Sequence, residues 1–116
     1  MSRTPLTSSL VLALLLSGPI AIVSAQDEAQ IKKGQEVYAA QKCSVCHSIA
    51  GKGSKKNPLD GVGKKLSADE IRSWITNPTE MTAKTKSTKK PPMTNKYSKL
   101  PAADIDGLVA YMQSLK

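Results

Sequence analysis

The chain has 116 residues and a formal net charge of +8, from 17 lysines and arginines against nine aspartates and glutamates. This length predicts one small domain. Only 3% of the residues are aromatic and phenylalanine is absent, so the protein has few large side chains from which to build a core.

Residues 1–25 have the composition of a secretory signal peptide. Arg3 makes the start positive, an apolar run extends from Leu10 to Val23, and small residues precede an expected cleavage after Ala25. The alternative, an uncleaved membrane anchor, is disfavoured because a Gly-Pro pair interrupts this short run and a spanning helix needs about 20 residues. We expect export, no stable membrane insertion after cleavage, and a mature domain of residues 26–116. Its net charge would be +7, because cleavage removes one arginine and no acidic residue.

The first helix is predicted from about Asp27 to Lys42. Ile31, Gly34 and Tyr38 recur at positions i, i+3 and i+7, and therefore share one helix face. A glycine inside a helix costs roughly 1 kcal/mol relative to alanine, so Gly34 predicts the close approach of another helix backbone. A tolerated glycine without a role is the alternative.

The clearest chemical signal follows this helix, in the pentapeptide Cys43-Ser44-Val45-Cys46-His47. The spacing Cys-x-x-Cys-His is that of a c-type haem attachment site. Two thiols one helical turn apart can each bond one haem vinyl group, and the adjacent imidazole can ligate the iron. Because the chain has no other cysteine or histidine, we predict one covalent haem c held by Cys43 and Cys46, with His47 as an axial ligand.

Three other uses of this pentapeptide are less favoured. A zinc site usually has four ligands, often in two separated pairs, and the sequence has no second pair. A thioredoxin-like redox pair lies in a βαβ context, and no such alternation of strands and helices is visible. A disulfide would close a very short loop of little entropic value and would leave His47 unexplained.

The segment from Ser48 to Lys65 is predicted to be a loop, because glycines and an Asn-Pro pair punctuate it. A haem-ligating histidine usually donates its other ring N–H to a carbonyl or carboxylate, and Pro58 is our candidate for that carbonyl. A second helix is predicted from the capping box at Ser67 to the Asn77-Pro78 stop.

Trp74 lies on the apolar face of this second helix, beside Ile71 and Ile75. Two interpretations of Trp74 are equally favoured: it is a core residue, or it contacts the haem through an indole N–H that donates to a propionate. The stretch from Thr79 to Lys99 is predicted to be irregular. A last helix is predicted from about Pro101 to the C-terminus, with a buried face of Ile105, Leu108, Val109 and Met112.

The second axial ligand cannot be a histidine of the same chain. Methionine, lysine, asparagine or an open site remain. Met112 belongs to the buried face of the last helix, and Met81 directly follows the second helix. Met93 is preceded by two prolines that stiffen the loop. We therefore predict Met93 as the sixth ligand, with Met81 as the alternative.

Over nearly all of residues 26–116 the chain resembles a small class I cytochrome c of the bacterial periplasmic type. The matching features are Gly34 and Tyr38 before the haem motif, the segments 57–63 and 74–78, Pro92-Met93, and the segment 108–112. The resemblance implies an all-α cytochrome c fold, with three to four helices and loops wrapped around one haem. It also implies that the first and last helices cross, with Gly34 and Tyr38 against Leu108 and Tyr111, and that Pro58 and Met93 have the roles given above.

These observations predict a monomeric, soluble electron carrier in the periplasm, not an enzyme. Outside the cytoplasm the positive charge favours an acidic protein partner or an anionic membrane surface over nucleic acid. Eleven lysines around the haem motif and Met93 are expected to steer an acidic redox partner into transient docking: Lys52, Lys55, Lys56, Lys64, Lys65, Lys84, Lys86, Lys89, Lys90, Lys96 and Lys99. A generally solvated basic surface is the alternative. Two other functions are a haem subunit of a larger periplasmic oxidoreductase and, less favoured, an open-site haem protein that binds small ligands.

Overall fold

The computed structural model describes residue 18 and residues 25–116, so the predicted signal peptide lies almost entirely outside the described residues. Within them the α-helices are α1 Ala25–Ala40, α2 Val62–Lys65, α3 Ala68–Thr76, α4 Pro78–Thr85 and α5 Ala102–Ser114. Two short 3₁₀ helices, Cys43–Val45 and Asn95–Lys99, and two strands, β1 Ser48–Ile49 and β2 Lys52–Gly53, complete the elements. The predicted all-α class is confirmed.

The crossing of α1 and α5 brings two helix backbones into contact. Gly34 is buried, and a Cβ added to it would overlap the carbonyl oxygen of Gly107 and lie 2.6 Å from the Cβ of Tyr111. Beside this contact the rings of Tyr38 and Tyr111 meet edge to face, with 5.8 Å between centroids and 85° between planes. The predicted crossing is confirmed, and Gly107, which the sequence analysis did not single out, makes the closest approach.

The apolar core lies between α1, α3 and α5. Its buried members are Val37, Ile71, Ile75, Ile105, Leu108, Val109 and Met112. Ion pairs join the same helices at more exposed positions, with Lys33 3.1 Å from Asp104 and Arg72 2.6 Å from Asp106. Surface pairs of this kind contribute about 0–1 kcal/mol each, so burial of the apolar faces dominates the stability of this three-helix contact.

The start of α3 is a reciprocal capping box, as predicted. The Glu70 N–H donates to the Ser67 hydroxyl at 3.2 Å, and the Ser67 N–H donates to the Glu70 carboxylate at 2.8 Å. Hydrogen bonding of the Glu70 carboxylate by Ser67, by its backbone N–H first and by its side chain second, lowers the pKa of Glu70. The box satisfies two N–H groups at the helix end.

Two predicted boundaries are wrong for local reasons. α1 ends at Ala40, two residues before the predicted end, and Lys42 adopts a left-handed conformation with φ of 55°. The stretch after Asn77-Pro78 was predicted to be irregular, but Pro78 starts α4. Proline is favoured at the first helical position, so the residue that ends one helix also begins the next.

The predicted loop between Ser48 and Lys65 also contains regular structure. β1 and β2 form an antiparallel hairpin, with Ile49 opposite Lys52, and α2 follows. The two turn residues, Ala50 and Gly51, have φ of 51° and 76°. Such a turn is easiest to recognise from an Asn-Gly or Asp-Gly pair, so Ala-Gly gives a weak sequence signal.

No helix among the described residues is long and apolar enough to cross a membrane.

Replacing Gly34 by alanine should destabilise the protein. Alanine would gain about 1 kcal/mol in an unconstrained helix, but here its methyl group would overlap the Gly107 carbonyl and force the helices apart. We expect a net loss of about 1–3 kcal/mol in the free energy of unfolding, measured by denaturant titration. Gln35→Ala, at an exposed neighbouring position, is the control and should change stability by less than about 0.5 kcal/mol. A Gly34→Ala protein as stable as the wild type would contradict the close contact.

Candidate haem site

The cysteines and the histidine of the motif lie on one tight turn. The N–H groups of Cys46 and His47 both donate to the Cys43 carbonyl, at 3.2 and 3.0 Å, which closes the backbone over the 3₁₀ helix. Both thiols are partly buried and are not joined to each other. Burial raises the pKa of the Cys43 thiol. The turn therefore presents two unlinked thiols and an imidazole from adjacent positions, as haem attachment requires.

The tautomer of His47 follows from its hydrogen bond. Its Nδ1 lies 3.0 Å from the backbone carbonyl oxygen of Asn57. A carbonyl can only accept, so Nδ1 carries a proton and donates it, and in the neutral imidazole the lone pair is therefore on Nε2. An imidazole bound to a metal through one nitrogen usually donates the other N–H in this way. The partly buried ring of His47 is thus held in the form that ligates iron.

The accepting carbonyl belongs to Asn57, and the prediction of Pro58 is wrong by one residue. Ser48 and Pro58 are paired in a parallel β-bridge, and the Leu59 N–H donates to the Ser48 carbonyl at 2.8 Å. This register places residue 57 beside residue 47. The Asn-Pro pair is predicted to lie in a loop. The sequence therefore gives no strand pairing that would show which of the two carbonyls, that of Asn57 or that of Pro58, lies beside His47.

Met93 lies between α4 and the second 3₁₀ helix, with its side chain partly buried. It lines a cavity of about 490 Å³, together with Thr79, Thr82, Lys90, Pro92, Thr94 and Asn95. Met81 and Met112 are buried, with 9% and 7% of their surface exposed. Of these three methionines, Met93 is therefore the one that is partly exposed and lines this cavity, while the other two are buried.

Trp74 is partly buried on α3, between the buried residues Ile71 and Ile75. This position agrees with the predicted apolar face of the helix. A hydrogen bond from its indole N–H to a propionate stays a prediction.

The hydroxyl group of Tyr38 was not anticipated as part of the site. It is buried and has no hydrogen-bond partner among the described residues. Burial raises the pKa of Tyr38 to about 12, with smaller contributions from Cys43, Tyr111 and Asp60, so the phenol lies close to the attachment turn. It lines a second cavity of about 430 Å³, with Ser44, Ile49, Ala50, Lys52, Gly53 and Tyr111. Helical periodicity assigned Tyr38 to a face but could not indicate how deeply its oxygen is buried.

The donor set fits a covalent haem. Two thiols can form the thioether bonds, Nε2 of His47 can ligate the iron, and Met93 lines a cavity. In the part of the chain that the structure describes, no group of three or more His, Cys, Asp or Glu side chains could hold a metal ion directly.

Comparison with protein families agrees with this chemistry. The family model described as Cytochrome c matches residues 31–116. The chain belongs to the cytochrome c family. Members of this family are class I cytochromes c, which bind haem c covalently, and Cys43 and Cys46 match the attachment motif. Comparisons with curated proteins and with solved structures gave no match. The family is one of haem electron carriers that interact with redox partners and are usually exported.

Removing the Tyr38 hydroxyl should stabilise the cytochrome. Tyr38→Phe eliminates a buried polar group that has no partner among the described residues, and we expect the free energy of unfolding at neutral pH to rise by about 1 kcal/mol. Folding raises the pKa of Tyr38 from 10 to about 12, so ionisation costs more in the folded protein than in the unfolded one. The free energy of unfolding of the wild type is therefore unaffected by this ionisation below pH 10 and falls as the pH rises through 12. Tyr38→Phe should therefore lose less stability than the wild type between pH 10 and pH 12. Denaturant titrations across this range test both effects, and a less stable variant at neutral pH would show that the hydroxyl has a partner in the haem-loaded protein.

Proposed function

We propose that this cytochrome c is a soluble electron carrier of the periplasm, exported by a signal peptide that is cleaved after Ala25. The observation that supports it best is the hydrogen bond from His47 Nδ1 to the Asn57 carbonyl, which in the neutral imidazole leaves Nε2 free to ligate the iron. When bound, the haem iron supplies one-electron exchange between its ferric and ferrous states. The chain itself supplies attachment, both axial ligands and the docking surface.

Each site residue has a distinct task in this proposal. Cys43 and Cys46 hold the haem covalently, and His47 and Met93 ligate the iron from this same chain. With both axial positions filled, no substrate binds, which favours an electron carrier over an enzyme. Met/His ligation raises the reduction potential. Trp74 has the further proposed task of donating to a propionate.

The two candidate methionines can be separated by substitution. Met93→Ala should abolish the weak far-red charge-transfer band of a sulfur-ligated ferric haem and should produce high-spin features in the optical spectrum. Met81→Leu is the control, because Met81 is buried in the core and a swap of similar volume there costs less than about 1.5 kcal/mol. The far-red charge-transfer band should persist in Met81→Leu. If Met81→Leu removes the band and Met93→Ala keeps it, the ligand is Met81.

The exposed lysines support an acidic redox partner. All eleven lysines of the predicted docking surface are exposed. Lys96 lies 4.8 Å from the centroid of the Tyr97 ring, and its charge acts on the Cys43 thiol, so the positive surface extends to the attachment turn. A field of this sign accelerates encounter with anionic partners. Redox encounters use small, weak interfaces, and we propose transient docking by a monomer.

A single large apolar side chain is exposed among the residues described, Val45, with 71% of its surface accessible. A contiguous exposed apolar patch would favour a haem subunit fixed to a larger oxidoreductase. The lysine-rich surface therefore supports the free carrier over the bound subunit.

Charge reversal at Lys96 should slow reaction with anions. At low ionic strength we expect Lys96→Glu to lower the rate of oxidation of the ferrous protein by ferricyanide about threefold to tenfold, and high salt should remove the difference. The cationic reductant hexaammineruthenium should react faster with the ferric variant. Lys32→Glu, an equal change of charge at an exposed position on α1, is the control and should have a smaller effect. Equal effects of both substitutions would indicate net charge alone and would contradict local steering near the attachment turn.

A further inference from the structure

We infer that Asp60 is a positioning residue for the haem ligand. Its carboxylate holds the segment that carries the Asn57 carbonyl against His47, and so maintains the hydrogen bond to His47 Nδ1. This inference rests on the proposed function, in which His47 ligates the iron.

Three hydrogen bonds join the segments 47–50 and 57–60. At one end His47 Nδ1 donates to the Asn57 carbonyl at 3.0 Å. In the middle the Leu59 N–H donates to the Ser48 carbonyl at 2.8 Å. At the other end the Ala50 N–H donates to the Asp60 carboxylate, also at 2.8 Å. The two segments run parallel through the bridge of Ser48 with residue 58, so the bond of Asp60 closes the far end of the same ladder.

The sequence explains why this end needs a side chain. The backbone N–H that faces the second segment at this end is that of Ala50, and it donates to the side chain of Asp60. Ala50 occupies a turn position with φ of 51°, a conformation that costs alanine energy and that asparagine or glycine would adopt more readily. A hydrogen bond to an ionised carboxylate is stronger than a neutral one. Asp60 therefore stabilises an unfavourable turn and fixes the neighbouring segment to it.

The hydrogen bond of the His47 imidazole would affect the reduction potential of the haem iron. A hydrogen bond from Nδ1 to a carbonyl makes His47 a more basic ligand, which favours the ferric state. If the segment 57–60 moves away from His47, this bond weakens, the ferric state loses stabilisation and the reduction potential rises. Asp60, which is exposed and does not contact the imidazole, acts on the iron through two hydrogen bonds and the backbone between them.

The test compares Asp60→Ala with Asp60→Asn in the haem-loaded protein. Both substitutions remove the negative charge, but asparagine keeps an oxygen that can accept from the Ala50 N–H. In the ferrous protein the exchange of the His47 Nδ1 proton with solvent is followed by NMR. We expect exchange about tenfold faster in Asp60→Ala and within twofold of the wild type in Asp60→Asn. The reduction potential should be higher in Asp60→Ala than in Asp60→Asn, since only alanine removes the tether. Glu36→Ala, at an exposed position on α1, controls for the loss of a surface carboxylate.

The outcomes separate this inference from the proposed function. A wild-type optical spectrum without low-spin, histidine-ligated haem overturns the proposed function before any variant is made. If the wild type is low-spin and the two Asp60 variants have the same proton exchange and the same potential, the positioning role is wrong and the carrier proposal stands.

Should Asp60→Ala fail to bind haem, the wild-type protein provides the test. Exchange of the Ala50 amide proton and of the His47 Nδ1 proton is then measured in increasing denaturant below the unfolding transition. Equal dependence on denaturant is expected if one local opening breaks both bonds. Independent opening of the two sites would overturn the inference.

Discussion

The contact of two helix backbones at Gly34 and Gly107 is the constraint on which the rest of the structure depends. Only hydrogen atoms lie between these α-carbons and the facing helix, so α1 and α5 have little freedom to slide or separate. α1 leads within three residues into the attachment turn, while α5 packs against α3 as well. The backbone contact of Gly34 with Gly107 therefore helps to fix the position of the cysteines relative to the core. Such a contact needs no large side chains, of which this protein has few.

The acidic residues of the protein are largely engaged in its own structure. Asp104 and Asp106 pair with cations of α1 and α3, Glu70 caps α3, and Asp60 holds the hairpin turn. The eleven lysines of the proposed docking surface, in contrast, are all exposed. The positive surface thus has two causes: most of the carboxylates named here bond within the fold, and these eleven ammonium groups face solvent.

The parts of the site that the sequence revealed are those whose chemistry is local. The haem motif depends on residues within five positions, the capping box at Ser67 on four, and the meaning of Gly34 on the cost of glycine in a helix. The parts that were missed depend on distant segments. Asn57 could be distinguished from Pro58 only through the β-bridge with Ser48, and the unpartnered hydroxyl of Tyr38 only through the depth of packing. α4 was missed because the Asn-Pro pair was interpreted only as the end of a helix, although proline is also favoured at the first position of the next one.

The corner at Asn77-Pro78 has a mechanical consequence. Asn77 is the C-cap of α3 and the N-cap of α4, and its side chain donates to the Glu80 carboxylate in the first turn of α4. Directly after the corner, the Thr79 hydroxyl donates to the Asn95 side chain at 3.1 Å, and both residues line the cavity that Met93 borders. Only Asn77 separates α3 from α4. The wall of the cavity that Met93 lines is therefore attached directly to a helix of the core, and a displacement of α3 would alter the surroundings of the proposed sixth ligand.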